Sequence, residues 1–359
     1  MKLAAAAGAV HASGGGPLPG SATARSQPPA TSSTPKVTAI VPARRLDDHG
    51  RRCVARLLAF GNAVEVIFVS DEDAPDLDPR ATLVVSGAVS VGRKRQQALE
   101  LARGGYVALI DDDAYPGAEW LRSVVEALER DPQVGAACGP TLTPVEDSEL
   151  EQLSGRVYAS PVVAGPHRWR YARVAPRDVE DAPSVNLVIR REDALAIGLD
   201  TDFHPGDDTI ICDRLTRRGR RIRYVPGAVV YHSRRPLWRP HLVQVWRFGR
   251  HRGAFARTYR GNSLRPSYFA PTALLLLAIA GLLPSRSRPA WRAAMRGYFA
   301  LVVAAAADLD PRKWARVTLA IPATHLTYGT GFLLGFLGVP LPEDAAARRV
   351  GQGTRPRGG

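Results

Sequence analysis

The chain has 359 residues, 45% of them hydrophobic, enough for one large domain with a sizeable core plus extensions. Its formal net charge is +14, and its three cysteines, Cys53, Cys138 and Cys212, are scattered without Cys-x-x-Cys spacing. That cysteine pattern argues against a disulfide framework or a zinc site and fits a reducing cytoplasm. No Gly-x-x-x-x-Gly-Lys-Ser/Thr loop is present, so a P-loop nucleotidase is disfavoured.

Residues 1–35 are rich in Ala, Gly, Ser and Pro and predict a disordered N-terminus. The run from Ala4 to Val10 faintly resembles a signal-peptide apolar region but is very short and weakly hydrophobic. A first folded domain is predicted over 36–235. Val37 to Pro42 is strand-like, 47–60 has helical spacing in Val54, Leu57 and Leu58, and Val64 to Val69 is a second strand ending at Ser70-Asp71-Glu72-Asp73. A short strand from Thr82 to Ser86 follows. Gly92-Arg93-Lys94-Arg95 opens a helix with Ala98, Leu101 and Ala102 on its apolar face.

Next comes Tyr106 to Ile110, bounded by Gly104-Gly105 and followed directly by Asp111-Asp112-Asp113. Unpaired carboxylates are costly near a core, so three acids ending a buried strand need a reason. Alternation predicts Asp111 and Asp113 on one side and Asp112 on the other. Two carboxylates so spaced can share a hard divalent cation whose shell is completed by phosphate and water. The competing reading is an acidic turn, with Asp113 capping a helix opened by Pro116 and Gly117. The order β-α-β-β-α-β predicts an α/β fold with a mainly parallel sheet and ligands at the carboxyl ends of its strands. Asp71 and the aspartate triplet occupy such ends.

The second half of this domain has little periodicity from Val145 to Ser184. It then has a strand-like run from Asn186 to Arg191, and Phe203-His204-Pro205-Gly206-Asp207-Asp208-Thr209 before a helix containing Ile211 and Leu215. Tyr224 to His232 closes the domain.

In this order the segments resemble glycosyltransferase family 2, which implies a GT-A fold, a Rossmann-like nucleotide-sugar-binding domain. The resemblance covers about residues 36–250. Val69-Ser70-Asp71 stands where the family has Val-Asp-Asp, so Asp71 is the implied contact to the nucleotide base. Arg95 matches the family's diphosphate-side arginine, with Arg93 beside it, although Gln96 replaces the usual asparagine. Pro42 and Asp112 join the implied nucleotide-sugar set. Asp111 and Asp113 match the Asp-x-Asp motif that holds Mg²⁺ or Mn²⁺, and His232 stands where many relatives have a third metal ligand, though a histidine after a strand is also commonly structural. Asp207-Asp208 replaces the usual Glu-Asp pair, one acid of which is the general base toward the acceptor hydroxyl. Asp208 is favoured over Asp207, and a helix N-cap is the plainer role for either. Gln244 and Arg247 loosely match a Gln-x-x-Arg-Trp segment of membrane-linked relatives, with Phe248 in place of tryptophan, and an ordinary amphipathic helix explains them as well. Asp181 is an acceptor-side candidate or simply a turn residue.

The charge excess is concentrated in the C-terminal third: 214–307 holds nineteen arginines and no aspartate or glutamate. A basic interface segment is predicted over 236–265, membrane-embedded or re-entrant helices over 266–341, and a disordered tail over 342–359. Apolar runs lie at Tyr268 to Leu283, Gly297 to Ala307 and Ala315 to Leu341. The last is long enough to cross a bilayer with tilt, and its Gly329, Gly331, Gly335 and Gly338 suit close helix packing. Arginines flanking apolar helices point to anionic lipid at the cytoplasmic face of a cell membrane. Buried helices of a soluble second domain are the alternative.

The function expected from all this is an inverting, metal-dependent glycosyltransferase. Its donor would be a nucleoside-diphosphate sugar and its acceptor a lipid-linked sugar or polysaccharide. A sugar-phosphate nucleotidyltransferase would share the nucleotide-binding layout but lacks a Gly-rich signature near the first strand. A basic nucleic-acid-binding module lacks a recognisable reading motif, so no nucleic-acid partner is expected.

Overall fold

A computed structural model describes residues 23–25, 34–201, 206–259, 264–281 and 288–340. The proposed tail at 342–359, most of the N-terminal segment, Phe203 to Pro205, Leu283 and Arg286 lie outside the described residues.

In chain order, β1 (Thr23–Arg25) is followed by β2 (Val37–Pro42), α1 (Asp48–Leu58), β3 (Val64–Ser70), β4 (Thr82–Val85), α2 (Val91–Leu101) and β5 (Tyr106–Leu109). Then come β6 (Ala114–Pro116), α3 (Trp120–Arg130), β7 (Val134–Cys138), β8 (Thr141–Leu142), α4 (Glu149–Ala159), α5 (Pro161–Ala164) and β9 (Arg177–Val179). The domain closes with β10 (Leu187–Arg190), α6 (Arg191–Ile197), α7 (Asp207–Arg217), β11 (Arg221–Tyr224) and β12 (Val230–His232). Four helices follow: α8 (Arg239–Thr258), α9 (Pro266–Ala280), α10 (Arg288–Ala304) and α11 (Pro311–Leu337).

The strands form a nine-stranded sheet in the order β1-β4-β3-β2-β5-β10-β7-β11-β9. Strands β4, β3, β2 and β5 are mutually parallel, as the alternating strand–helix pattern predicts. β10 runs antiparallel between β5 and β7, and the edge strands β1 and β9 are antiparallel too, so the sheet is mixed and not mainly parallel as the sequence suggested. Both faces of the central strands are covered, so β2, β3 and β7 are buried along almost their whole length, whereas β9 and β11 at one end of the sheet carry Arg177, Asp178, Arg221 and Arg223. Val37, Ala39 and Val41 pack into a core with α1 and α3, while Ile40, Ile67 and Val69 pack into a second core with α2 and α7. A small sheet, β6-β12-β8, brings the segment after the aspartate triplet alongside His232.

Three sequence expectations need correction. Thr23–Arg25, assigned to a disordered terminus, adds an antiparallel edge strand to β4. Pro116 ends strand β6 instead of opening a helix, and α3 begins only at Trp120. The stretch from Val145 to Ser184 contains a regular helix, α4, started by a capping box in which Ser148 and Glu151 exchange side-chain and backbone hydrogen bonds.

The C-terminal helices also differ from expectation. Among the described residues, no helix is long and apolar enough to cross a membrane. Helix α11 carries Arg312, Lys313 and Arg316 in its first turns and lies along α8 at very short range. A Cβ added to Gly335 would sit 2.1 Å from the Arg250 carbonyl oxygen, and one added to Gly253 would sit 2.1 Å from that of Phe332. The glycines therefore permit close helix packing, as their spacing suggested, and the partners are α8 and, at Gly329, α9. Val302, Val317 and Ile321 form a third core with Leu153 and Val157 of α4. His241, fully buried, bridges three helices through Ser154 Oγ (2.8 Å) and Thr324 Oγ1 (2.9 Å).

Candidate active site

The site begins where β2, β3 and β5 end. Pro42 is buried at the end of β2, in register with Val69. Asp71, just past β3, pairs with Lys94, a buried lysine that also donates to the Ala43 carbonyl. Ser90 caps α2 by accepting from the Arg93 N–H, which fixes where Lys94 and Arg95 leave the helix. Arg93 itself points outward to Asp200 at 3.5 Å and is exposed.

Arg95 is 2% exposed and acts as a clamp. One terminal nitrogen binds Asp207, and the other reaches Asp111 Oδ1 at 3.3 Å and Ser184 Oγ at 3.0 Å. Its terminal nitrogens are thus engaged with two protein carboxylates and a hydroxyl. Through it the end of β5 and the start of α7 become one unit.

The aspartate triplet is half-buried. Burial raises the Asp111 carboxyl, partly offset by Arg95. Burial and the neighbouring Asp113 and Asp111 push Asp112 up to about 7. For Asp113, burial opposes ionisation, but the charge and hydrogen bond of His232 hold it down at about 2. His232 Nε2 lies 3.1 Å from Asp113 Oδ1, so β12 delivers the histidine to the triplet. Asp111, Asp113 and His232 do not close into a ready three-ligand cage: among the described residues, no group of three or more His, Cys, Asp or Glu side chains is arranged to hold a metal ion. A carboxylate beside an imidazole is a donor set that would fit a divalent ion and would suit Mn²⁺ over the oxygen-preferring Mg²⁺.

Helix α7 starts after Gly206, whose φ of 126° suits glycine. Neither aspartate is the N-cap: Gly206 holds that position. Asp207 turns to Arg95 and is buried, whereas Asp208 accepts the Thr209 N–H at 2.8 Å and lines a cavity of about 670 Å³. Burial, then Asp181 and Asp207, raise Asp208 to about 6, with Arg252 and Arg170 pulling the other way.

The cavity is walled by α4, α5, α8, α9 and α11. Behind it sits Asp181, which is 2% exposed and accepts hydrogen bonds from Arg170 (3.0 Å), Thr209 Oγ1 (3.1 Å) and Tyr268 OH (3.0 Å). Burial works against its ionisation, but Arg170 and Arg252 hold it near 2. Asp181 is therefore a fixed anchor for the cavity wall. Tyr268 stacks on His167 at 5.2 Å and lies under the Arg252 guanidinium at 4.6 Å. Gln244 accepts from Tyr158 OH at 3.3 Å, while Arg247 is exposed and does not line this cavity. The α8 face that does so is Val245, Phe248, His251, Arg252 and Phe255.

Sequence reasoning did not single out Lys94, Arg170, Arg252 or Tyr268. Only α4 had an overlooked local signal, the Ser148-x-x-Glu151 pattern.

The profile of the family described as Glycosyl transferase family group 2 matches residues 106–328. A pre-mycofactocin glycosyltransferase, found in two strains of Mycobacterium tuberculosis, is 27% identical over 237 residues, 63% of this chain and 48% of the relative. The chain thus spans about half the length of the curated relatives it matches. Among solved structures, a mannosyltransferase from Pyrobaculum calidifontis in complex with GDP-mannose and Mn²⁺ superposes with a TM-score of 0.51 at 20% identity, covering 86% of this chain and 89% of that one. At that identity the likeness is one of fold.

Proposed function

The chain belongs to glycosyltransferase family group 2, and from that premise we propose that it transfers a sugar, with inversion, from a nucleoside-diphosphate sugar to an acceptor hydroxyl. The observation that carries this reading is the division at the start of α7. Asp207 is tied through Arg95 to Asp111 on one side, and Asp208 opens onto a cavity on the other.

In this reading Asp71, positioned by Lys94, meets the nucleotide base. Asp113 with His232, and Asp111 beside them, would hold the Mn²⁺ or Mg²⁺ that the family likeness implies. When bound, such an ion supplies positive charge to the departing diphosphate. Asp208 takes the acceptor's proton. The acceptor oxygen bonds to the anomeric carbon as the bond from that carbon to the diphosphate oxygen breaks, and the nucleoside diphosphate leaves with the electron pair. A carboxylate lifted to about 6 is still ionised at neutral pH yet is a better proton acceptor than an ordinary one.

The proposed location is the cytoplasmic face of an anionic membrane, with a lipid-linked sugar or polysaccharide as acceptor. Contact would be interfacial. Leu276 and Ile279 of α9 and Phe299 and Leu301 of α10 are exposed, and Arg292 and Arg296 are exposed on α10. Flotation with anionic vesicles, lost in the Phe299→Ser/Leu301→Ser double variant, is the expected outcome; equal binding to neutral vesicles argues against it.

The decisive experiment incubates the purified chain with nucleoside-diphosphate sugars, Mn²⁺ or Mg²⁺, and an acceptor extract. Release of nucleoside diphosphate, with an inverted anomeric centre seen by NMR, is expected. Release of pyrophosphate would indicate a nucleotidyltransferase instead.

A further inference from the structure

The cavity beside Asp208 differs from a carbohydrate-binding groove in how its polar groups are used. A sugar buried there would bring several hydroxyls, each costly to bury without a partner. Several of the wall's polar side chains are tied to partners beside or behind the wall. Tyr158 OH donates to Gln244 at 3.3 Å, Tyr268 OH to Asp181 at 3.0 Å, and Tyr298 OH to His325 Nδ1 at 2.8 Å. Thr324 Oγ1 pairs with His241 at 2.9 Å, and Arg252 donates to Thr209 at 3.2 Å. Between these tied groups the wall is apolar, with Phe248, Phe255 and Leu274 contributed by α8 and α9. Among the described residues that line it, Asp208 is the only carboxylate. The volume of about 670 Å³ suits a compact small molecule.

From this we infer that the cavity takes the acceptor's apolar body, an aromatic ring system or a hydrocarbon chain bearing one hydroxyl, and presents that hydroxyl to Asp208. This rests on the glycosyl-transfer reading for its chemistry but not for its binding step. An apolar body needs no hydrogen bonds from a wall that has few to give. A single hydroxyl finds one acceptor for its proton. This narrows the acceptor of that reading: a hydroxylated aromatic or hydrocarbon body fits the cavity, whereas a polysaccharide does not.

The test is direct binding to the full chain without donor, by calorimetry, using 2-naphthol for the aromatic arm, 1-decanol for the hydrocarbon arm and maltotriose as the carbohydrate control. Saturable binding of naphthol or decanol at least about tenfold tighter than maltotriose is expected, and the tighter of the two identifies the source. Leu274→Trp should weaken that ligand by about tenfold or more while nucleoside-diphosphate binding is unchanged. If this variant fails to fold, Phe248→Asp, on a half-exposed wall position, serves the same purpose. Maltotriose binding as tightly as the apolar probes, or apolar binding indifferent to both variants, overturns the inference. Apolar binding with no nucleotide-sugar binding by the wild type would sustain the cavity assignment and sink the transferase reading instead.

Discussion

The proposed donor side and acceptor side of this molecule are built in different ways. On the donor side, Asp71, Lys94, Arg95 and the aspartate triplet all come from within 43 consecutive residues, 71–113, at the ends of parallel strands and the start of one helix. On the acceptor side, Arg170, Asp181, Asp208, Arg252 and Tyr268 come from five separate segments, and Asp181 binds three of the others directly or through Thr209. Strand ends converge because the sheet makes them converge. A cavity wall converges only if helices distant in sequence pack together. The donor side should therefore tolerate changes in the C-terminal helices, whereas the acceptor side should not.

The sharpest way to separate the two sides is Asp208→Asn. A positioned general base contributes about 10² to 10⁴ in rate, so turnover should fall by that order with donor affinity nearly unchanged. Asp207→Asn should instead weaken donor binding as well, because it unties Arg95 from α7. If steady-state kinetics and donor calorimetry show the reverse pattern, the roles of the two acids are exchanged.

Arg95→Met tests the link itself. Removing one partner of a buried ion pair costs about 3–5 kcal/mol, and here two carboxylates lose their counter-charge. A large drop in denaturation midpoint, together with loss on both sides of the site, is expected. An unaltered midpoint would mean that the two halves are not coupled through this residue.

Gly335→Leu addresses the α8–α11 contact. Overpacking typically costs about 1–3 kcal/mol, and a rigid carbonyl at 2.1 Å argues for the upper end. Thermal unfolding should report that loss. Donor binding should persist in the fraction that stays folded, while the cavity, which α11 helps to wall, should lose its ligand. A variant with wild-type stability would contradict the close packing.

The smallest predicted effect is a pH dependence. Asp208 faces Asp181, Asp207, Arg170 and Arg252, and its carboxyl is raised to about 6. The rate should decline below pH 6, approaching about tenfold per unit as the base becomes protonated. Stability has the opposite sign. Because the folded value lies above the unfolded one, ionised Asp208 burdens the native state above about pH 6, and the burden vanishes below the ordinary carboxylate range. Asp208→Asn should therefore gain melting temperature over wild type as pH rises through 6. A gap that does not vary between pH 4 and 8 would show that the shift is absent.

Apolar runs, glycine boundaries and acids at strand ends made the four parallel strands β4, β3, β2 and β5, the aspartate triplet and Asp71 legible in the chain alone, and the family resemblance added the Asp207–Asp208 pair. Each depends on residues within a few positions of one another, and strand alternation and loop chemistry are local. The protein contacts of Arg95 were not legible, because an arginine in the first turns of a helix reads the same whether it faces a ligand or two carboxylates from other segments. Asp181 looked like a turn residue for the same reason: its three donors lie between 11 and 87 positions away. The C-terminal helices show the limit most clearly. Apolar content tells that a helix face avoids water, but lipid and protein satisfy it equally. Only the packing of α11 on α8, and of both on α4, decided that these helices complete a cavity beside Asp208.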